Sequence, residues 1–325
     1  MNRRVLITRP IPHKGTKLLK DNGCKVDIAF REKSITPGLL LNVIDNYDAL
    51  ISLLTDKIDK PFLEKASHIR GIANFAVGFD NIDLESATSM GIQVSNTPGV
   101  LTDATADLAW TLLLATARKS VLGDSLAKSG EWSGWEPLQL LGVGVSGKIL
   151  AIVGAGRIGS AVAQRSRGFG MELLYVSPRL NPELENSLGA RRVSLADACK
   201  NADFLSLHLP LTQKTFHIIG THELSLMKKT AILINTSRGP VVDERALIDV
   251  LKRGAIFGAG LDVYEHEPYI SKELRNLHNA VLLPHLGSAT VETRDRMAIM
   301  AAENILAMLD GKRAPNLVNT EVLFR

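Results

Sequence analysis

The feature that most constrains this chain is a glycine pattern set between a strand and a helix. Lys148-Ile149-Leu150-Ala151-Ile152-Val153 is a short apolar run bounded by glycines, which is the pattern of a buried strand. Gly154-Ala155-Gly156-Arg157-Ile158-Gly159 follows at once. Arg157 to Gly168 then reads as a helix with Ile158, Ala161, Val162 and Ala163 as packing residues. The glycines permit a tight turn and let the backbone approach a pyrophosphate. The helix N-terminus behind them offers free N–H groups and the positive end of a dipole. A strand, GxGxxG and a helix in this order point to a dinucleotide held by Gly154, Gly156, Arg157, Ile158 and Gly159.

What the pattern lacks is equally informative. A free ribose 2′-hydroxyl is usually held by an acidic residue at the end of the next strand, about 20 residues on. Here that strand, Met171 to Val176, ends in Ser177-Pro178-Arg179. Asp would repel a 2′-phosphate, whereas a hydroxyl and a guanidinium welcome one, so the expectation is NADP(H) preference with NAD(H) use left open. The plainer reading of Arg179 is a solvated loop residue.

Around this cradle the chain alternates strand and helix twice. The first series places strands near Val5–Thr8, Lys25–Phe30, Ala49–Leu53, Gly71–Phe75 and Ile92–Val94. The second begins at Ile149 and continues at Glu172–Val176, Phe204–Leu207, Ala231–Asn235, Ala259–Asp262 and Ala280–Leu283. Alternation of this kind implies an α/β fold of two doubly wound parallel sheets, with a cleft between two units. The expected division is 1–100 with 289–325 for one unit and 101–288 for the other, the last helix near Val291–Leu309 crossing back. Leu101 to Ala117 is apolar on several faces and must be covered nearly all round. Trp132 and Trp135 lie in the polar stretch that follows. They are either packed within the chain or part of a subunit interface, and a homodimer is the favoured reading.

Composition narrows the function classes. The 325 residues are 45% hydrophobic and 22% charged, with a net charge of +4, as expected of a soluble cytoplasmic enzyme. Arg3-Arg4 and Arg191-Arg192 are only pairs, far from a nucleic-acid stripe. No apolar run suggests a membrane span or a signal-peptide core. Cys24 and Cys199 have no pairing pattern and read as reduced, buried thiols. The 8 histidines lack paired ligand spacing, so no metal site is expected.

Six segments then carry a resemblance over nearly the whole chain. They are Ala76-Val77-Gly78-Phe79-Asp80-Asn81-Ile82-Asp83, the Gly154 pattern, His208-Leu209-Pro210-Leu211-Thr212, Asn235 to Glu244, Leu261 to Pro268, and Pro284-His285-Leu286-Gly287-Ser288. Together they resemble the D-isomer-specific 2-hydroxyacid dehydrogenase family. Leu101 to Trp110 and the Trp132/Trp135 stretch resemble its glyoxylate/hydroxypyruvate reductases most. The resemblance implies a Rossmann-type cofactor domain and a flavodoxin-like substrate domain. It implies Arg238, Glu267 and His285 as the catalytic trio, with Glu267, rather than Glu265, as the partner of His285. It also implies Thr105, His208, Pro210, Thr236, Ser237, Asp262 and Gly287 as cofactor contacts, with Asp262 accepting from the nicotinamide carboxamide. His208 is either structural or cofactor-side. Val77 and Gly78 would bind the substrate carboxylate and Leu54 would shape the pocket.

The chemistry fits these residue types. A 2-keto acid carries a carboxylate beside the carbonyl to be reduced, and the planar fork of Arg238 can hydrogen-bond both. Hydride arrival leaves an alkoxide that needs a proton, which His285 can donate. A carboxylate beside it stabilises the imidazolium and orients the ring. The expected activity is reduction of glyoxylate or hydroxypyruvate to the D-2-hydroxy acid. D-3-phosphoglycerate oxidation, D-lactate-type chemistry with NADH, and a dinucleotide-sensing scaffold remain as alternatives. His13, His68, His217, His222, His266 and His278 read as surface or packing residues.

Overall fold

Two separate sheets organise the chain, and the computed structural model describes residues 3–30 and 40–324. By compactness the chain divides into Met1–Leu101 with Ser288–Arg325, and Thr102–Gly287.

In the first unit, β1 (Arg3–Ile7), β2 (Cys24–Ile28), β3 (Ala49–Ser52), β4 (Gly71–Asn74) and β5 (Gln93–Ser95) form a parallel sheet. Their order, β2-β1-β3-β4-β5, is that of flavodoxin-like folds. Such strands are apolar along their length because helices cover both faces. Leu6, Leu50, Ile72 and Val94 pack with Phe62 and Leu63 in one of these layers. The helices His13–Asp21 and Val291–Leu309 pack closely enough that a Cβ on Gly15 would overlap the Ala298 carbonyl. A Cβ on Gly71 would strike Met308, so the Val291–Leu309 helix also lies on β4. The chain's last segment then covers the exposed edge of β5. Val318 N–H donates to Val94 O at 2.7 Å, and Asn319 Oδ1 accepts from Val94 N–H at 2.8 Å. Occupied this way, the edge no longer offers free ladder groups to another chain.

In the second unit, β6 (Ile149–Val153), β7 (Glu172–Val176), β8 (Arg191–Arg192), β9 (Phe204–Leu207), β10 (Ile232–Asn235), β11 (Gly258–Leu261) and β12 (Ala280–Leu282) form a parallel sheet. The order β12-β11-β10-β9-β6-β7-β8 is the Rossmann order with a seventh strand added. The strand order reverses between β6 and β9, and ligands of such sheets bind at the carboxyl ends beside that reversal. β8 was not expected, since two charged residues give no apolar signal. Nor was the helix Ser120–Ser129, which has no buried residue. The helix expected over Arg157–Gly168 ends at Arg165 and continues as a 3₁₀ turn, Ser166–Phe169.

The apolar helix Thr102–Ala117 lies on β11, where Gly258 and Gly260 make room for Thr116 and Leu112. It is not covered all round. Asp103, Asp107 and Thr111, at helical spacing, form one exposed stripe. Arg165 engages both carboxylates, at 3.0 Å to Asp103 and 2.7 Å to Asp107. Trp110 is buried, bonded to Val162 O and stacked on Phe169. Trp132 and Trp135 are 56% and 81% exposed, so packing within the chain does not account for them. Among the described residues, no helix is long and apolar enough to cross a membrane.

Candidate active site

The glycine turn starts where β6 ends, and its glycines have distinct reasons. Gly154 has φ +101°, and a Cβ there would overlap the His208 carbonyl oxygen. A Cβ on Gly159 would overlap the Gly154 carbonyl, so this glycine brings helix and strand together. Gly156 is different, because a Cβ there meets nothing within 4 Å. The protein does not need the middle glycine for its own packing. A pyrophosphate lying against the backbone does. Gly156 also caps the helix Arg157–Arg165, and no side chain bonds its first turn.

Two buried polar atoms just past the ends of β9 and β10 lack a partner among the described residues, His208 Nδ1 and Thr236 Oγ1. Buried polar atoms are normally satisfied, so each marks a place for a polar ligand. His208 Nε2 lies 2.9 Å from Ser206 Oγ, and burial pushes its imidazole down to a pKa of about 3. These residues fit a dinucleotide.

The trio comes from the ends of β10, β11 and β12. Arg238 follows β10 on a turn organised by Asn235. Asn235 Oδ1 accepts from Ser237 N–H at 3.0 Å and Ser237 Oγ at 2.8 Å, while its Nδ2 donates to Arg238 O at 2.9 Å. Arg238 is half-buried and turns Nη1 to Ser237 O at 2.8 Å. A Cβ on Gly239 would overlap the Tyr264 carbonyl, so the glycine lets the segment carrying Glu267 pack against the Arg238 turn. Glu267 Oε1 accepts from Tyr264 N–H at 3.0 Å. Its Oε2 lies 2.8 Å from His285 Nδ1, in a pair whose side chains are about one-quarter exposed. One carboxylate oxygen thus belongs to the loop and the other to the imidazole.

The model of the D-isomer specific 2-hydroxyacid dehydrogenase NAD-binding domain matches residues 110–287. A glyoxylate reductase of Thermococcus litoralis is 53% identical, the alignment covering 99% of this chain and 98% of that protein. A crystal structure of a Thermus thermophilus protein superposes with a TM-score of 0.91 at 44% identity, over 97% of this chain and 99% of that one. The NADPH-dependent glyoxylate/hydroxypyruvate reductase of Sinorhizobium meliloti, solved with NADP and malonate, gives 0.86 at 30% identity, over 99% and 98%. This chain belongs to the D-isomer specific 2-hydroxyacid dehydrogenase family.

Asp262 accepts two hydrogen bonds from the chain itself: Oδ1 from Leu286 N–H at 2.6 Å and Oδ2 from Gly287 N–H at 2.8 Å. Thr105 Oγ1 donates to Gly287 O at 3.0 Å, so three expected cofactor contacts meet one another. Together they hold the loop in which His285 adopts a left-handed φ of 56°. A non-glycine residue there costs of order 1–3 kcal/mol, and it persists only where its surroundings fix it. Burial pushes the Asp262 carboxyl above its usual range, opposed by these N–H groups and by His285.

A second His–Glu pair was not anticipated. His217 Nε2 lies 2.9 Å from Glu265 Oε1, and Glu265 Oε2 accepts the N–H of Glu244 at the start of the helix Glu244–Lys252. Ser177 and Arg179 stand at the end of β7, with Arg179 exposed and its N–H 3.4 Å from Ser177 Oγ. Pro210 is exposed and Ser237 is buried.

In the first unit, Leu54, Val77 and Gly78 are half-buried on two loops tied by asparagines. Asn96 Nδ2 donates to Val77 O at 2.7 Å and Asn74 Nδ2 to Gly78 O at 2.9 Å. Asn81 Nδ2 donates to Leu53 O at 3.1 Å. No group of three or more His, Cys, Asp or Glu among the described residues is placed to hold a metal. Cys24 and Cys199 are both buried, and burial pushes the Cys199 thiol up to about 12.

Proposed function

We propose that the chain reduces glyoxylate or hydroxypyruvate to the D-2-hydroxy acid, with NADPH as the preferred reductant. The observation that carries this reading is the Glu267–His285 pair at 2.8 Å, on a segment packed against the Arg238 turn. Curated relatives at about this chain's full length are glyoxylate reductases, which supports the substrate class. Arg238 binds the substrate carboxylate and polarises its carbonyl. A bound nicotinamide supplies the hydride. His285, oriented through Nδ1 by Glu267, turns Nε2 to the developing alkoxide and delivers the proton. Gly154, Gly156, Arg157, Ile158 and Gly159 hold the pyrophosphate, and Thr236 and His208 offer their unpartnered atoms to the cofactor. Val77 and Gly78 are proposed as carboxylate donors, and Leu54 as a wall for the substrate's small side chain. Ser177 and Arg179 are proposed to receive the 2′-phosphate.

The exposed Trp132, Trp135, Leu138 and Leu141 support a homodimer, because large apolar side chains left exposed close together in sequence suit a subunit interface. Light scattering that returns a monomer would remove that part of the reading. The main test is initial rates with NADPH and NADH on glyoxylate, hydroxypyruvate and pyruvate. NADPH preference with either of the first two acids is expected. NADH preference would overturn the 2′-phosphate assignment and leave the trio. Cofactor binding without turnover on any of these acids would mean another acid or a sensing role.

A further inference from the structure

We infer that Arg192 is a specificity-determining residue for the cofactor's 2′-phosphate, acting as a clamp on the turn that carries Ser177 and Arg179. The inference rests on the NADPH reading above. Arg192 sits on β8, opposite Tyr175 in the parallel register, which brings its side chain to the end of β7. Its Nε donates to Ser177 O at 2.9 Å and its Nη2 to Pro178 O at 3.0 Å. Two donors of one planar fork thus hold two successive carbonyls. That sets both peptide planes of the turn, and with them the directions in which Ser177 and Arg179 leave it.

The neighbouring arginine makes a useful contrast. Arg191 is ion-paired with Glu172 at the opposite end of β7, so its charge is compensated. The two hydrogen-bond acceptors of Arg192 are neutral carbonyls, and among the described residues no carboxylate forms an ion pair with it. A guanidinium so placed favours a dianionic phosphate over a hydroxyl at the same spot. Arg192 therefore contributes in two ways, by fixing the turn and by adding a second positive charge beside Arg179. In sequence it is only half of an arginine pair.

The test uses the full-length protein and two cofactor fragments, 2′,5′-ADP and 5′-AMP, with affinities read by calorimetry at low ionic strength. Arg192→Gln should weaken 2′,5′-ADP by about tenfold or more while moving 5′-AMP less than about twofold. Arg192→Lys, which keeps the charge but not the fork, should fall between. The advantage of 2′,5′-ADP over 5′-AMP should shrink as salt rises in the wild type, and less so in Arg192→Gln. Equal weakening of both fragments would reduce Arg192 to a structural role and overturn the inference, as would no weakening of either. Wild-type protein that binds 5′-AMP as tightly as 2′,5′-ADP would overturn the NADPH reading itself, and this inference with it. Should Arg192→Gln not fold, as judged by thermal unfolding, Arg192→Lys alone decides: an undiminished 2′,5′-ADP preference there rejects the fork.

Discussion

Two histidine–glutamate pairs hang from the same short segment, and on distance they are indistinguishable. His285 and Glu267 approach to 2.8 Å, and His217 and Glu265 to 2.9 Å. What separates them is how the remaining atoms are used. Glu265 gives its second oxygen to a helix N-terminus, and His217 is stacked on Phe216 with its N–H bonded to Pro240 O. That pair ties the start of a helix to the turn carrying His217. Glu267 gives its second oxygen to Tyr264 N–H, three residues back along its own loop. Both histidines are left-handed, His285 at φ 56° and His217 at φ 49°, so backbone strain does not separate them. A close imidazole–carboxylate contact therefore does not identify a proton donor. What the rest of each pair is bonded to is the better guide.

The largest test of this distinction is a pair of substitutions. His285→Asn should lower kcat by about 10²- to 10⁴-fold, the range for loss of a general acid. His217→Asn should leave kcat within about threefold, because a fold-embedded histidine touches no reacting atom. Comparable losses of kcat, measured under saturating keto acid, would erase the contrast.

The carboxylates provide the next test. Glu267→Gln keeps a hydrogen-bond acceptor but removes the charge that stabilises an imidazolium. The reductive pH–rate limb, where activity falls as pH rises, should move to lower pH, with kcat down about tenfold or more. Glu265→Gln should leave that limb in place. Its cost should appear in thermal unfolding, at about 1–2 kcal/mol for a weakened helix-end acceptor. A moved limb in Glu265→Gln would make the two pairs one network.

A smaller effect is expected at Asp262. Asp262→Asn retains one acceptor for the 286–287 loop but turns an amide donor toward the other N–H. His285 would then be held less firmly, and kcat should fall by about tenfold with cofactor affinity little changed. Were Asp262 mainly a carboxamide acceptor, cofactor KM would rise instead, so the kcat-to-KM split discriminates between the two uses.

These cases also mark how far the sequence could be read. The glycine turn was legible because its logic is local: six consecutive residues between an apolar run and a helix. The strands were legible wherever burial on both faces leaves a continuous apolar stretch, and β8 was not, since Arg191-Arg192 has none. Glu267 and His285 lie 18 residues apart and were linked only through a family resemblance. His217 and Glu265 lie 48 apart in segments with no shared pattern, so nothing local announces them. Asp262 was legible as important, but its bonds to the 286–287 loop were not. An acidic residue at a strand end looks the same whether it faces a ligand or the next loop. The exposure of Trp132 and Trp135 likewise depends on what neighbouring elements leave uncovered.

A third histidine extends the comparison to the case of no carboxylate partner. His208 sits under the glycine turn with Ser206 as its side-chain partner, and burial lowers its pKa to about 3 from 6.5. Between those values the unfolded chain takes up a proton that the native chain refuses. Stability from this group is therefore complete above about pH 6.5 and is lost as pH falls toward about 3, by at most about 1.4 kcal/mol per pH unit. His208→Gln removes the titration, so its stability should fall less steeply than wild type between pH 6 and 4 in urea unfolding. Parallel curves for wild type and His208→Gln would mean that the buried ring is protonated in the native state after all. The glycine turn would then rest on a cation rather than on a neutral ring.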